Sequence, residues 1–212
     1  MGLIIDEPSE AKIKESFQSL KNPVKLIVFT QEFECQYCRE NRALAEELVK
    51  LSPLLSLEVY NFVTDKEKVQ QYEIEMVPAI VVVGKKDYGI RFYGIPGGYE
   101  FTSLIETIKM ISSGDSGLTD KVKESVRKIT KPINFKVFVT LTCPYCPPAV
   151  INAHRFAFEN NLIKSNMIEA GEFVHLSNRY NVYAVPKTVI NDTVQFEGAM
   201  SEDQFLAEVL RA

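Results

Sequence analysis

Tryptophan is absent from the 212 residues, histidine occurs twice and cysteine four times. Basic residues are outnumbered, 24 Lys and Arg against 28 Asp and Glu, and the net charge is −4. No broad cationic field exists, which argues against binding nucleic acid through its phosphates. Long apolar runs are missing too. Stretches such as residues 26–29 and 79–83 are a few residues long, whereas ~20 are needed to cross a bilayer. The start, MGLIIDEPSE, has no basic segment and its apolar stretch is cut by Asp6, so no secretory leader is read and a cytoplasmic location is expected.

Scarce as they are, the cysteines are not scattered. Cys35 and Cys38 fall in ECQYCRE, and Cys143 and Cys146 in TCPYCPP. A bridge between positions three apart closes almost no loop and would stabilise little, so the pairing calls for a chemical reason.

The surroundings repeat as well. An offset of 108 residues carries Cys35 to Cys143, Cys38 to Cys146 and Pro78 to Pro186, and QYEIEMVP matches RYNVYAVP. Upstream, Ile13, Phe17 and Leu20 answer to Val122, Val126 and Ile129. SSGDSG, rich in turn formers, marks the boundary, dividing the chain into units of residues 1–114 and 115–212.

Both units read alike. An amphipathic helix (9–20; 119–129) precedes an apolar strand (25–30; 135–140), and the cysteine pair then opens a longer helix. A strand and a short helix ending at Tyr72 or Tyr180 lead to Val77-Pro78 or Val185-Pro186. Two strands joined by a turn, placed at Asn191-Asp192 in the second unit, are followed by a last helix (100–111; 201–211). Ser201 and Gln204 are spaced as a capping box. The expected class is α/β, two tandem units with a mixed central sheet flanked by helices.

A thiol becomes a nucleophile on ionising, and a helix N-terminus favours the anion. Cys35 and Cys143 are expected there, with Cys38 and Cys146 one turn further on. The first thiolate attacks a disulfide and the second cysteine resolves the mixed disulfide. Pro147 would cost a helical hydrogen bond, so distortion is expected at that point. Each Val-Pro pair suits a cis bond. The backbone of Val77 or Val185 would then be free to pair with an extended substrate segment. Glu32 and Glu34 oppose a thiolate at Cys35, with Arg39 pulling the other way, whereas neutral Leu141 and Thr142 precede Cys143; this difference predicts the more easily ionised thiol at Cys143.

Strand, Cys-X-X-Cys, helix, Val-Pro and hairpin together resemble the thioredoxin superfamily, and CPYC is similar to the glutaredoxin tetrapeptide. Two such units resemble the two-domain protein disulfide oxidoreductases of thermophilic prokaryotes, a likeness that extends through DYGIRFYGIPGGYEF. The resemblance implies two thioredoxin-fold units and a thiol-disulfide oxidoreductase that reduces, forms or isomerises protein disulfides. Cys35 and Cys143 would attack, Cys38 and Cys146 resolve, and Pro78 and Pro186 be cis. It implies no bound cofactor beyond the redox-active disulfides, with electrons from an NAD(P)H-dependent flavoprotein reductase akin to thioredoxin reductase, and a peroxiredoxin as a further partner. Single-domain thioredoxin carries WCGPC and a buried Asp on the preceding strand; neither is present here, which leaves the resolving thiol without an assigned proton acceptor.

Other readings are weaker. A four-thiolate zinc site usually has its pairs 15–20 residues apart, and 104 residues intervene here. His154 and His175 have no counterpart in the other unit and read as surface or helix-packing residues. Tyr37 and Tyr145 either touch substrate or shield sulfur. A non-catalytic peptide-binding holdase leaves both cysteine pairs unexplained, and an electron relay serving a peroxidase is a variant of the redox reading.

Overall fold

In the computed structural model, residues 4–212 are described. Residues 1–3, where the first expected unit and the sequence MGLIIDEPSE begin, lie outside them.

The chain opens with helix α1 (Glu7–Phe17). It begins earlier than its apolar spacing suggests because the Asp6 carboxylate accepts from Ser9 N and Pro8 occupies the first turn, where a missing N–H costs nothing. It also ends earlier: Gln18, Ser19 and Leu20 bond three residues back, as a tighter final turn.

Strand β1 (Val24–Thr30), helix α2 (Cys38–Leu48), strand β2 (Leu55–Asn61) and the short helix α3 (Lys66–Gln71) follow. Strands β3 (Ala79–Val83) and β4 (Asp87–Tyr93) form a hairpin, and α4 (Glu100–Ser113) stops at Gly114. The order then repeats as α5 (Asp120–Arg127), β5 (Ile133–Val139), α6 (Cys146–Glu159), β6 (Ile163–Glu169), α7 (Val174–Arg179), β7 (Lys187–Ile190), β8 (Val194–Glu197) and α8 (Glu202–Arg211). The second hairpin turns at Asn191-Asp192, both at positive φ, and Ser201 with Gln204 closes the expected capping box.

Among the described residues the eight strands form one sheet, in the order β2-β1-β3-β4-β6-β5-β7-β8. Each half contributes four strands in the same arrangement, and β4 of the first pairs in parallel with β6 of the second. Because β1 is antiparallel to β3 and β3 to β4, the strands β1, β4, β6 and β5 all point the same way. Both cysteine motifs, which follow β1 and β5, therefore emerge at one edge of the sheet.

One face of the sheet is covered by α1, α2, α4, α5, α6 and α8, enclosing Leu26, Leu48, Leu104, Phe135, Phe156 and Phe205. The other face carries α3 and α7 over Phe29, Val81, Phe138 and Val189. At the seam, Tyr88 stacks on Phe158 at 4.5 Å and the Phe92 ring meets His154 edge-on at 4.9 Å. His154 Nδ1 lies 2.7 Å from the Ser165 hydroxyl, and complete burial pushes its pKa down to about 3. It is a packing residue of the seam.

Candidate functional site

After β5 the chain turns: Cys143 N donates to Thr140 O at 3.1 Å and Cys146 N to Cys143 O at 3.4 Å. Cys146 is the first residue of α6, so the first cysteine of each motif sits on the turn ahead of the helix. This corrects the expectation that Cys35 and Cys143 occupy the helix N-terminus itself. It also removes the difficulty at Pro147. With the helix beginning at Cys146, Pro147 and Pro148 fall in the first turn, whose N–H groups have no partner within the helix, and no distortion follows.

Cys143 and Cys146 are joined as a disulfide with Cα atoms 5.5 Å apart. Their exposure differs: Cys146 is at 0% and Cys143 at 8%. Cys143 Sγ lies 3.8 Å from the carbonyl oxygen of Val185, and the Val185-Pro186 bond is cis. Tyr145, between the two cysteines, is 73% exposed.

The first motif has the same plan with different neighbours. Cys35 and Cys38 are disulfide-bonded, again with Cα atoms 5.5 Å apart. Cys35 is half-buried and Cys38 buried, and Gln31 N donates to Cys38 Sγ at 3.4 Å. Both cysteines border a cavity of about 610 Å³ shared with Glu32, Arg39, Arg42 and Asp65. Tyr37 is half-buried, and the Val77-Pro78 bond is cis at the head of β3. Neither His154 nor His175 is hydrogen-bonded to a cysteine among the described residues; His175 is exposed on α7.

Two carboxyl groups that sequence reading did not single out are shifted by burial where the first half meets the second. Tyr99 N, at the head of α4, donates to Leu141 O at 3.0 Å, two residues before Cys143. Further along, Thr107 and Met110 of α4 border the same cavity as Ile151 and His154 of α6. The two helices thus run side by side in the same direction. Glu100, in the first turn of α4, follows the Tyr99 that bonds Leu141 and is fully buried. Its Oε2 accepts from Ser103 Oγ at 2.6 Å, while Oε1 has no partner among the described residues. Burial pushes its pKa up to about 7.

Just past the end of β6, Glu172 Oε1 accepts from Ile95 N at 2.7 Å and Glu172 N donates to Glu169 Oε2 at 2.6 Å. Burial, with the Glu169 charge beside it, raises Glu172 to about 7. Sequence carries no signal for any of these shifts, because a glutamate at a helix start or strand end is ordinarily exposed.

The family model described as the thioredoxin domain matches residues 24–106 and 133–211. A solved structure of a protein disulfide oxidoreductase from Aeropyrum pernix superposes with a TM-score of 0.92 at 33% identity, over 98% of this chain and 93% of that one. The alkylhydroperoxide reductase component AhpF of Enterococcus faecalis superposes with a TM-score of 0.88 at 25% identity, over 95% of this chain and 97% of the matched one. Among curated proteins, an NADH dehydrogenase of Bacillus subtilis is 27% identical over 209 residues, which are 98% of this chain and 38% of that protein. The chain therefore spans well under half the length of that relative.

Proposed function

The chain belongs to the thioredoxin-domain family, and from that premise we propose that it is a protein dithiol-disulfide oxidoreductase that reduces, forms or isomerises protein disulfides at two Cys-X-X-Cys sites. The observation that carries this reading is the pairing within each motif of a more exposed sulfur with a buried one, joined as a disulfide. Likeness to the Aeropyrum pernix oxidoreductase over nearly the whole of both chains supports it.

In reduction, the Cys143 thiolate attacks one sulfur of a substrate disulfide. A mixed disulfide forms and one substrate thiolate departs. Cys146 then loses its proton and attacks Cys143 Sγ, releasing the second substrate thiolate. Two electrons pass to the substrate and the chain's own disulfide closes; oxidation is the reverse. Cys35 and Cys38 act in the same order. A carboxyl titrating near neutrality is suited to take the Cys146 proton, and Glu100, next to the Tyr99 that bonds Leu141, is such a group. The backbones at Val77-Pro78 and Val185-Pro186 hold the substrate strand, with Tyr37 and Tyr145 beside the sulfurs. The units are residues 1–114 and 115–212.

Likeness to a component of an alkylhydroperoxide reductase supports a second role. The chain takes electrons from an NAD(P)H-dependent flavoprotein reductase and delivers them to a peroxiredoxin, as well as to protein disulfides.

Insulin reduction by dithiothreitol, followed by turbidity, tests the main reading. Micromolar protein should shorten the lag severalfold. Dithiothreitol alone performing equally well would leave only a binding role.

A further inference from the structure

The two sites share a plan but not a surface. In the first motif, residues 31–42 include Glu32, Glu34, Arg39, Glu40 and Arg42. Around the second, three segments meet that contain no charged residue: 94–99, 140–153 and 180–186. The first of these segments comes from the other half of the chain. It is held by the Tyr99 N to Leu141 O bond, and Gly98 lies against that same carbonyl so closely that a Cβ would stand 2.2 Å from it.

Each uncharged segment presents one large exposed side chain. Tyr145 is 73% exposed, Tyr99 51% and Tyr183 89%. The backbone places each close to the motif: Tyr145 lies between the cysteines, Tyr99 N is bonded to Leu141 O, and Tyr183 is two residues before the Val185 carbonyl that Cys143 Sγ approaches. At the first site the residue in the place of Tyr183 is Glu75, which is exposed. The residue in the place of Tyr99, as the N-cap of the corresponding helix, is Ser201, a small side chain engaged in the capping box of its own helix. Phe33 is exposed near Cys35, but between Glu32 and Glu34.

Tyrosine supplies broad contact area at low entropic cost and tolerates many partners, while a neutral surface imposes no desolvation penalty on an apolar chain. We propose that Tyr99, Tyr145 and Tyr183 form a docking surface, built from both halves, that directs extended polypeptide with apolar residues flanking its cysteine to the second site. The proposal rests on the oxidoreductase reading and names the substrate class of one of its sites. The carboxyl that meets these segments, Glu172, is half-buried, bonded to Ile95 N and shifted by burial toward its neutral form, so a charged segment would lose water on this surface and gain little from a counter-ion.

The test is binding of three short peptides to the oxidised full-length chain, followed by NMR titration. The peptides keep serine in place of cysteine and flank it with Leu and Phe, with Asp and Glu, or with Lys and Arg. The apolar peptide should bind at least about tenfold more tightly than either charged one, a difference of about 1.4 kcal/mol. Tyr99→Ser with Tyr183→Ser should bring the three within about threefold of each other, and Tyr99→Phe with Tyr183→Phe should restore the ranking. Affinities within twofold for all three peptides on the unaltered chain, or an unchanged ranking in the serine variant, would overturn the proposal. Exchange with a small aromatic disulfide, measured on the same chain, reports on the oxidoreductase reading separately.

Discussion

Within each motif the two cysteines differ in access, and the proposed order of action rests on that difference. Cys143 keeps 8% of its surface exposed and Cys146 none, so a Cys146→Ser variant should hold a substrate as a stable mixed disulfide on Cys143. Cys143→Ser should form none at the second site; non-reducing electrophoresis in a Cys35→Ser, Cys38→Ser background reads the difference. Glu100 can be examined by pH. Its carboxyl is raised from 4.5 to about 7, so between those values the native chain holds a proton that the unfolded chain has released, and stability falls as pH rises through the window. Replacement by Gln removes that dependence. Wild type should therefore lose on the order of 3 kcal/mol relative to Glu100→Gln from pH 4.5 to 8, measurable by urea unfolding. His154 acts in the opposite sense, because its pKa is lowered to about 3; its contribution is lost on acidification below about 6.5. It cancels when the two proteins are compared at each pH. A constant difference across the range would sink the assignment of a neutral, buried carboxyl.

The elements follow from local sequence more closely than the site does. Apolar spacing locates all the helices named from it, and the strand, helix and hairpin order is readable in both copies. Helix starts are the exception. Asp6 with Pro8 begins α1 earlier than Ile13 and Phe17 suggest, and α6 waits until Cys146, which turns Pro147 from an interruption into a first-turn residue. Capping and turn bonds set those ends, and periodicity does not register them. The β4–α4 loop is where one residue's geometry joins two elements. Gly98 has φ +54°, and a Cβ there would stand 2.2 Å from the Leu141 carbonyl oxygen. Gly98→Ala should cost roughly 1–3 kcal/mol and pull Tyr99 away from the second site. Unfolding by denaturant gives the first figure, and a lower insulin-reduction rate accompanies the second. A variant as stable and as active as wild type would show that the close approach is not needed.

Across the whole molecule, the shared sheet decides what the two sites can and cannot do together. They open at the same edge, yet β1 and β5 are four strand positions apart in the order, ~19 Å at the usual spacing. A disulfide needs Cα atoms within about 7 Å, so Cys35 and Cys143 cannot exchange directly in the folded chain. In a Cys38→Ser, Cys146→Ser protein, mild oxidant should give no Cys35–Cys143 bridge by mass spectrometry of the monomer. Finding one would mean that the halves move past each other far more than a continuous sheet allows.

The order of elements in each half, the duplication, the paired cysteines, the cis Val-Pro bonds and the Asn-Asp turn were written in local patterns. Those features depend on near neighbours in the chain, and near neighbours are what a linear text records. The joining of β4 to β6, the burial of Glu100 and the bonding of Tyr99 N to Leu141 O in the other half depend on contacts between residues tens of positions apart. Burial and electrostatics act through space, so the neutral carboxyl and the composite surface exist only once the two halves have closed on one another.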